Sequence, residues 1–164
     1  IFVAVFFALK PTGKVAELET ERFIVSRVID GDTLEIRLQN TTDKVRLLGV
    51  DYIDISKNRI DKWLDFELPK SKVVDCYHEG IDRLKEMIEG KEVEIIVDPI
   101  EDNRDKYDRL LRYAKFNGTY IEEWIINEGY AVAYDPVKPE CSLCEQFEDL
   151  ESEIRDQGKG CLWG

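Results

Sequence analysis

A chain of 164 residues with 43% hydrophobic side chains is one domain long and carries enough apolar surface for a real core. Its 35 acidic and 23 basic side chains give a net charge of −12, which opposes long-range attraction to nucleic acid and argues against a general DNA-binding protein. An enzyme of this charge that grips nucleic acid needs a local basic patch and a bound cation.

Residues 1–9, IFVAVFFAL, are apolar throughout. Nine residues are too few to span a bilayer, but they match the h-region of a signal peptide or the end of a membrane anchor. An extra strand or an arm swapped onto a neighbour is the alternative. No small-residue cleavage site follows in KPTGK, and Pro11 to Thr20 reads as a linker. The chain therefore divides into an apolar segment with linker over 1–20 and a globular domain over 21–164. The signal reading makes the protein secreted or membrane-anchored and extracellular; otherwise it is cytoplasmic.

Arg22–Ile29, Thr33–Gln39 and Lys44–Val50 alternate or run apolar as strands do, with Asp30-Gly31 as a tight turn between the first two. Residues 55–75 are charged and irregular and contain Pro69, which predicts a long surface loop with at most a helical turn around Trp63. Helical spacing of Ile81, Leu84, Lys85 and Ile88 predicts a helix over 78–88 that stops at Gly90. Lys91–Val97 and Arg109–Phe116 read as the fourth and fifth strands. Tyr120–Asn127 reads as a short helix and Ser142–Asp156 as a longer acidic one that buries Leu143, Phe147, Leu150 and Ile154. Five strands, a helix between the third and fourth, and helices at the end predict an α+β fold: a five-stranded, partly open OB-type barrel with three helices.

Isolated charges interrupt the strands. Asp32, Arg46, Asp51 and Asp54 sit at the ends or on the faces of Val/Ile/Leu runs, where a charge is costly without a partner or ligand. With Arg109 they supply what metal-assisted attack on a phosphodiester requires. Clustered carboxylates hold a hard cation, a further carboxylate takes a proton from water, and guanidinium forks clamp phosphate oxygens. Each residue also has a plainer reading: Asp32 as a turn cap, Arg46 with Asp51 as an ion pair, and Arg109 in a surface network with Asp105 and Asp108.

Five ordered motifs bear on that choice: VIDGDT at 28–33, VRLLGVD at 45–51, DKYDR at 105–109, NEGYAVAY at 127–134 and GKGCLW at 158–163. Together they resemble the staphylococcal (micrococcal) nuclease-like thermonucleases over residues 23–163. The resemblance implies an OB-fold nuclease that hydrolyses DNA and/or RNA with little sequence preference and depends on Ca²⁺, with no stable protein partner. It puts Asp32 and Asp51 on the family's metal ligands, the backbone carbonyl of Tyr52 on a main-chain ligand, Arg46 and Arg109 on the phosphate-binding arginines, and Asp54 on the position of a glutamate described as general base or as a water-positioning group. Lys106, Tyr107 and Tyr134 fall near the nucleotide.

Three departures stand out. Asp54 is one methylene shorter than the family's Glu, and Tyr52-Ile53 replaces Thr-Pro, which removes a restriction on φ and predicts a looser segment. Asp108 replaces the glycine of DKYGR and sets a negative charge beside Arg109. A non-catalytic OB-type binding or interaction module is the alternative that these changes leave open.

Four cysteines, Cys76, Cys141, Cys144 and Cys161, predict disulfides first, free thiols second and a zinc site with His78 third. A helix over 142–156 would set its two ends roughly 20 Å apart, which argues against a Cys144–Cys161 pairing unless the chain folds back. Trp124 and Trp163 read as packing residues. Trp63, in the predicted loop, is a candidate for contact with substrate or membrane.

Overall fold

The computed structural model describes residues 18–56, 59–134 and 141–164. The apolar segment at 1–9 and the linker up to residue 17 lie outside the described residues.

Strand β1 (Thr20–Asp30) pairs antiparallel with β2 (Thr33–Arg37), and β2 with β3 (Thr42–Leu47). On its other edge β1 pairs with β5 (Glu92–Val97), which pairs with β6 (Leu110–Phe116). A parallel pairing of β6 with β3 closes the ring, so the five strands form a closed barrel rather than a partly open one. Closure removes the exposed edges that an open sheet would present. Strand β1 pairs with β5 through Thr20–Ile24 and with β2 through Val25–Asp30, and its ladder with β2 shifts register between Val25 and Arg27 and again between Val28 and Asp30, the irregularity that bends a strand around a barrel corner.

The predicted third strand is broken. After Leu47 the chain turns at Gly49, whose φ of +70° suits glycine, and residues Val50–Tyr52 form β4, which leaves the barrel to pair with β8 (Ala131–Ala133). A side chain at 49 would also collide with Phe147, 2.7 Å from the position of a Cβ.

The predicted long loop is mostly helical. Residues Ile60–Leu64 form α1, and α2 runs over Lys70–Ile88, starting eight residues before the predicted helix. Pro69 sits immediately before α2, where its missing N–H costs nothing, and its carbonyl accepts from Val73 N–H at 3.2 Å. Buried Val73, Cys76, Gly80, Ile81, Leu84 and Ile88 continue one apolar stripe through the charged first turns. Trp63 is 1% exposed, so it pins α1 to the core and does not contact substrate or membrane.

A two-residue strand, β7 (Thr119–Tyr120), leads into α3 (Ile121–Asn127), followed later by α4 (Cys144–Asp156) and a final turn, α5 (Gly160–Trp163). Among the described residues three helices reach seven residues or more, as predicted, with two shorter ones added. In α4, Phe147 and Ile154 are buried and Leu143 and Leu150 pack partly against the core.

All four cysteines are in disulfides. Cys76 on α2 joins Cys161 on α5, with 5.7 Å between Cα atoms, and Cys141 joins Cys144 at the start of α4. His78 lies exposed in the middle of α2 rather than at a helix start, and no zinc site remains for it.

Candidate active site

The cavity at one rim of the barrel, about 680 Å³, is walled by the β1–β2 turn, the β3–β4 connection, the segment after β4, and the loop before β6. Asp32, Arg46, Asp51, Tyr52, Asp54, Lys106, Tyr107, Arg109 and Tyr134, drawn from segments far apart in sequence, all line it.

Alternation along β3 buries Val45 and Leu47 in the core and leaves Arg46 on the opposite face. Its guanidinium donates to the carbonyls of Leu47 at 2.6 Å and Val50 at 2.9 Å, which fixes the β3–β4 connection, and stands 3.1 Å from Asp32 Oδ2. Asp32 also accepts the N–H of Tyr52 at 3.3 Å, tying the β1–β2 turn to β4. Gly31 permits this approach: a Cβ there would lie 2.0 Å from the Tyr52 ring. Burial pushes the Asp32 carboxyl up to about 6 against the pull of Arg46, with the negative charge of Asp30 adding to the rise.

The hydroxyl of buried Thr33 donates to Asp32 Oδ1 at 3.1 Å and accepts from Arg109 Nη1 at 3.2 Å. Arg46, Asp32, Thr33 and Arg109 thus form one continuous polar chain. Arg109 is held from its other side by Asp105, whose Oδ2 accepts from Nε at 2.7 Å and whose Oδ1 accepts the Arg109 backbone N–H at 3.0 Å. Burial alone would raise Asp105, but these bonds outweigh it and hold its carboxyl below its ordinary value. The exposed Tyr107 ring lies beside Arg109 and Lys106, 5.5 and 5.0 Å from their cationic ends.

Asp51 is 6% exposed and takes two cations: Lys62 of α1 donates to Oδ2, and Arg59 stands 3.9 Å from Oδ1. Arg59 also reaches Asp54 at 3.5 Å, while Asp54 Oδ1 accepts the Ser56 N–H at 2.8 Å. The Tyr52-Ile53 segment, expected to be loose, is anchored. The Tyr52 hydroxyl donates to Tyr77 O at 2.8 Å, Ile53 N–H donates to Tyr130 O at 3.1 Å, and both side chains are buried. Packing here replaces the missing proline.

Asp108 does not join the cavity. Its φ is +63°, the left-handed conformation that explains a glycine at this place in the related motif and that aspartate tolerates. Its carboxylate is exposed and lies 3.6 Å from Arg104. The sequence reading missed Thr33, Asp105, Arg59 and Lys62 as parts of the site. Thr33 and Asp105 lie inside the quoted motifs, whereas nothing in the sequence brings Arg59 and Lys62 to Asp51.

Among the described residues no three acidic, histidine or cysteine side chains converge on one point that would hold a metal ion. The donors available are two carboxylates, Asp32 and Asp51, and main-chain oxygen at Tyr52, an all-oxygen set of the kind hard divalent cations take. Both carboxylates already face cationic groups, Arg46 on one and Lys62 with Arg59 on the other, so positive charge is accommodated at each.

Residues 44–164 match the model of a family described as staphylococcal nuclease homologue. The chain is similar to the SPbeta prophage-derived endonuclease YokF of Bacillus subtilis, 28% identical over 139 residues, which make up 85% of this chain and 43% of that protein. It is similar to endonuclease YncB of the same organism, 30% identical over 139 residues, 85% of this chain and 60% of that protein. An uncharacterized protein of Methanocaldococcus jannaschii is 29% identical over 154 residues, 85% of this chain and 70% of that protein. The chain spans about half the length of the two endonucleases.

Proposed function

The chain belongs to the staphylococcal nuclease homologue family, and from that premise we propose that it is a divalent-metal-dependent nuclease that hydrolyses DNA and/or RNA with little sequence preference. The observation that carries the reading is the polar chain in which Arg46 is ion-paired to Asp32, and Asp32 is hydrogen-bonded through Thr33 to Arg109, which sets two guanidinium groups and a carboxylate around one cavity.

Hydrolysis adds negative charge to the phosphoryl oxygens as water attacks, so donors fixed in advance around those oxygens favour the transition state over the ground state. Arg46 and Arg109 suit this role, because a guanidinium stays charged and its orientation is already set by Leu47, Val50, Thr33 and Asp105. Asp54 is the group proposed to accept the proton of the attacking water, and its Ser56 bond leaves one oxygen facing Arg59. Lys106, Tyr107 and Tyr134 are proposed to contact the nucleotide from the exposed rim. Asp32, Asp51 and the Tyr52 carbonyl are proposed to hold the ion, with Ca²⁺ the ion favoured by the oxygen donors. When bound it would neutralise charge on a phosphoryl oxygen and make water a better nucleophile.

The two disulfides fit an oxidising compartment and support a proposal of export, secreted or anchored by the apolar residues 1–9.

Release of acid-soluble nucleotides from denatured DNA and from RNA, with Ca²⁺, Mg²⁺ or Mn²⁺ and then with EDTA, tests the reading. Release that needs Ca²⁺ and stops in EDTA is expected. Binding of single strands without hydrolysis under any ion would support the non-catalytic OB-type module instead.

A further inference from the structure

Asp51 is the most enclosed carboxylate of the cavity, and two cationic side chains already face it. Lys62 donates to Oδ2, and Arg59 bridges it to Asp54, at 3.9 Å from Asp51 Oδ1 and 3.5 Å from Asp54 Oδ2. Both cations come from α1 and the residue before it, in the segment that the sequence alone presents as a surface loop with at most a helical turn around Trp63. This helix is not free to drift. Trp63 and Ile60 are 1% and 7% exposed, so the apolar side of a five-residue helix is sunk in the core, and Lys62 is delivered to the rim from a fixed base. The Lys62 side chain itself remains half open to water, 49% exposed against 8% for the side chain of Asp51. Such a cation can leave its carboxylate by rotating a flexible four-carbon stem, without moving the helix.

We propose that Lys62, seconded by Arg59, is a built-in counter-cation for Asp51 that a divalent ion must displace in order to bind, so that α1 sets the metal concentration at which the site loads. The physical reason is exclusion by charge and by place. An ion coordinated through Asp51 Oδ2 would stand where the ammonium stands, and two positive groups in one half-buried position repel. Ejecting Lys62 costs its ion pair, and that cost is subtracted from metal affinity. Because Lys62 is half exposed, the penalty is modest. An ion pair of this kind is worth at most about a fivefold factor in an equilibrium constant.

The inference rests on Asp51 as a metal ligand, and titration calorimetry with Ca²⁺ alone, no nucleic acid present, separates the two. For Lys62→Met, which keeps the aliphatic stem beside Trp63, about fivefold tighter Ca²⁺ binding than wild type is expected. For Lys62→Arg, which keeps the charge, affinity within twofold of wild type is expected. Thermal melting of both variants without metal verifies that α1 stays docked, and Lys62→Gln serves should the Met variant melt early. Unchanged or weaker Ca²⁺ binding by both neutral variants, alongside loss of binding in Asp51→Asn, overturns the counter-cation and leaves the metal ligand standing. Wild-type Ca²⁺ binding in Asp51→Asn overturns the ligand assignment, and the counter-cation with it.

Discussion

Replacing Arg46 by lysine probes the site where structure and chemistry are hardest to separate. The guanidinium meets three acceptors at once, the carbonyls of Leu47 and Val50 and the Asp32 carboxylate, at 2.6, 2.9 and 3.1 Å. An ammonium on a linear stem cannot span them, so Arg46→Lys loses about two of the three contacts. At about 1 kcal/mol for each lost bond, stability should fall by about 2 kcal/mol, which a domain of ordinary stability survives. Losing a preorganised donor at the phosphoryl oxygens should add about 3 kcal/mol to the barrier, close to a hundredfold in kcat. Urea unfolding gives the first number, and single-strand cleavage at saturating Ca²⁺, well below the unfolding transition, gives the second. A variant that cleaves within threefold of wild type while losing the expected stability would show that Arg46 braces the β3–β4 connection and does not act on phosphate.

Three further outcomes follow from the fold. Opening the Cys76–Cys161 bond, which closes a separation of 85 residues, should cost about 4.5 kcal/mol, against about 1.5 kcal/mol for Cys141–Cys144, separated by three; equal shifts of the urea midpoint in the two double-Ala variants would contradict this. Gly80→Ala should destabilise by about 2 kcal/mol although alanine is the better helix former, because its Cβ would lie 2.2 Å from the Tyr52 hydroxyl oxygen and 2.6 Å from the Tyr130 ring; a gain in melting temperature would refute it. Glu122 is fully buried, its oxygens accepting from Ala114 N–H at 3.1 and 3.4 Å, and burial pushes its carboxyl well above the ordinary range. The folded state therefore keeps a proton that the unfolded chain releases, so this group's contribution to stability falls as pH rises above the ordinary glutamate value. Glu122→Gln should gain on wild type from pH 4 to pH 8 in urea midpoint, and parallel pH profiles would sink the argument.

The barrel was legible because its strands carry period-two patterns: Leu34 and Ile36, then Val45 and Leu47, alternate with polar partners and are buried as the alternation requires. The break between β3 and β4 was not, because Val50 to Tyr52 continue the apolar run and only the backbone at Gly49 turns it elsewhere. The start of α2 was hidden by charged first turns and by Pro69, which marks a helix beginning as readily as a loop. At the site, ordered motifs located nine residues that do share one cavity. What they could not convey was contact between distant segments. The Cys76–Cys161 pairing, the placement of α1 on Asp51 and the outward turn of Asp108 all depend on packing that sequence spacing does not encode.

Asp32 and Asp51, nineteen residues apart in the chain, are proposed to hold one divalent ion beside Arg46 and Arg109. Anomalous diffraction from crystals soaked in Mn²⁺ addresses it without reference to activity. A single peak within about 2.5 Å of a carboxylate oxygen from each aspartate is predicted. A peak bound elsewhere on the surface, with both aspartates still paired to Arg46 and Lys62 at saturating metal, would contradict it.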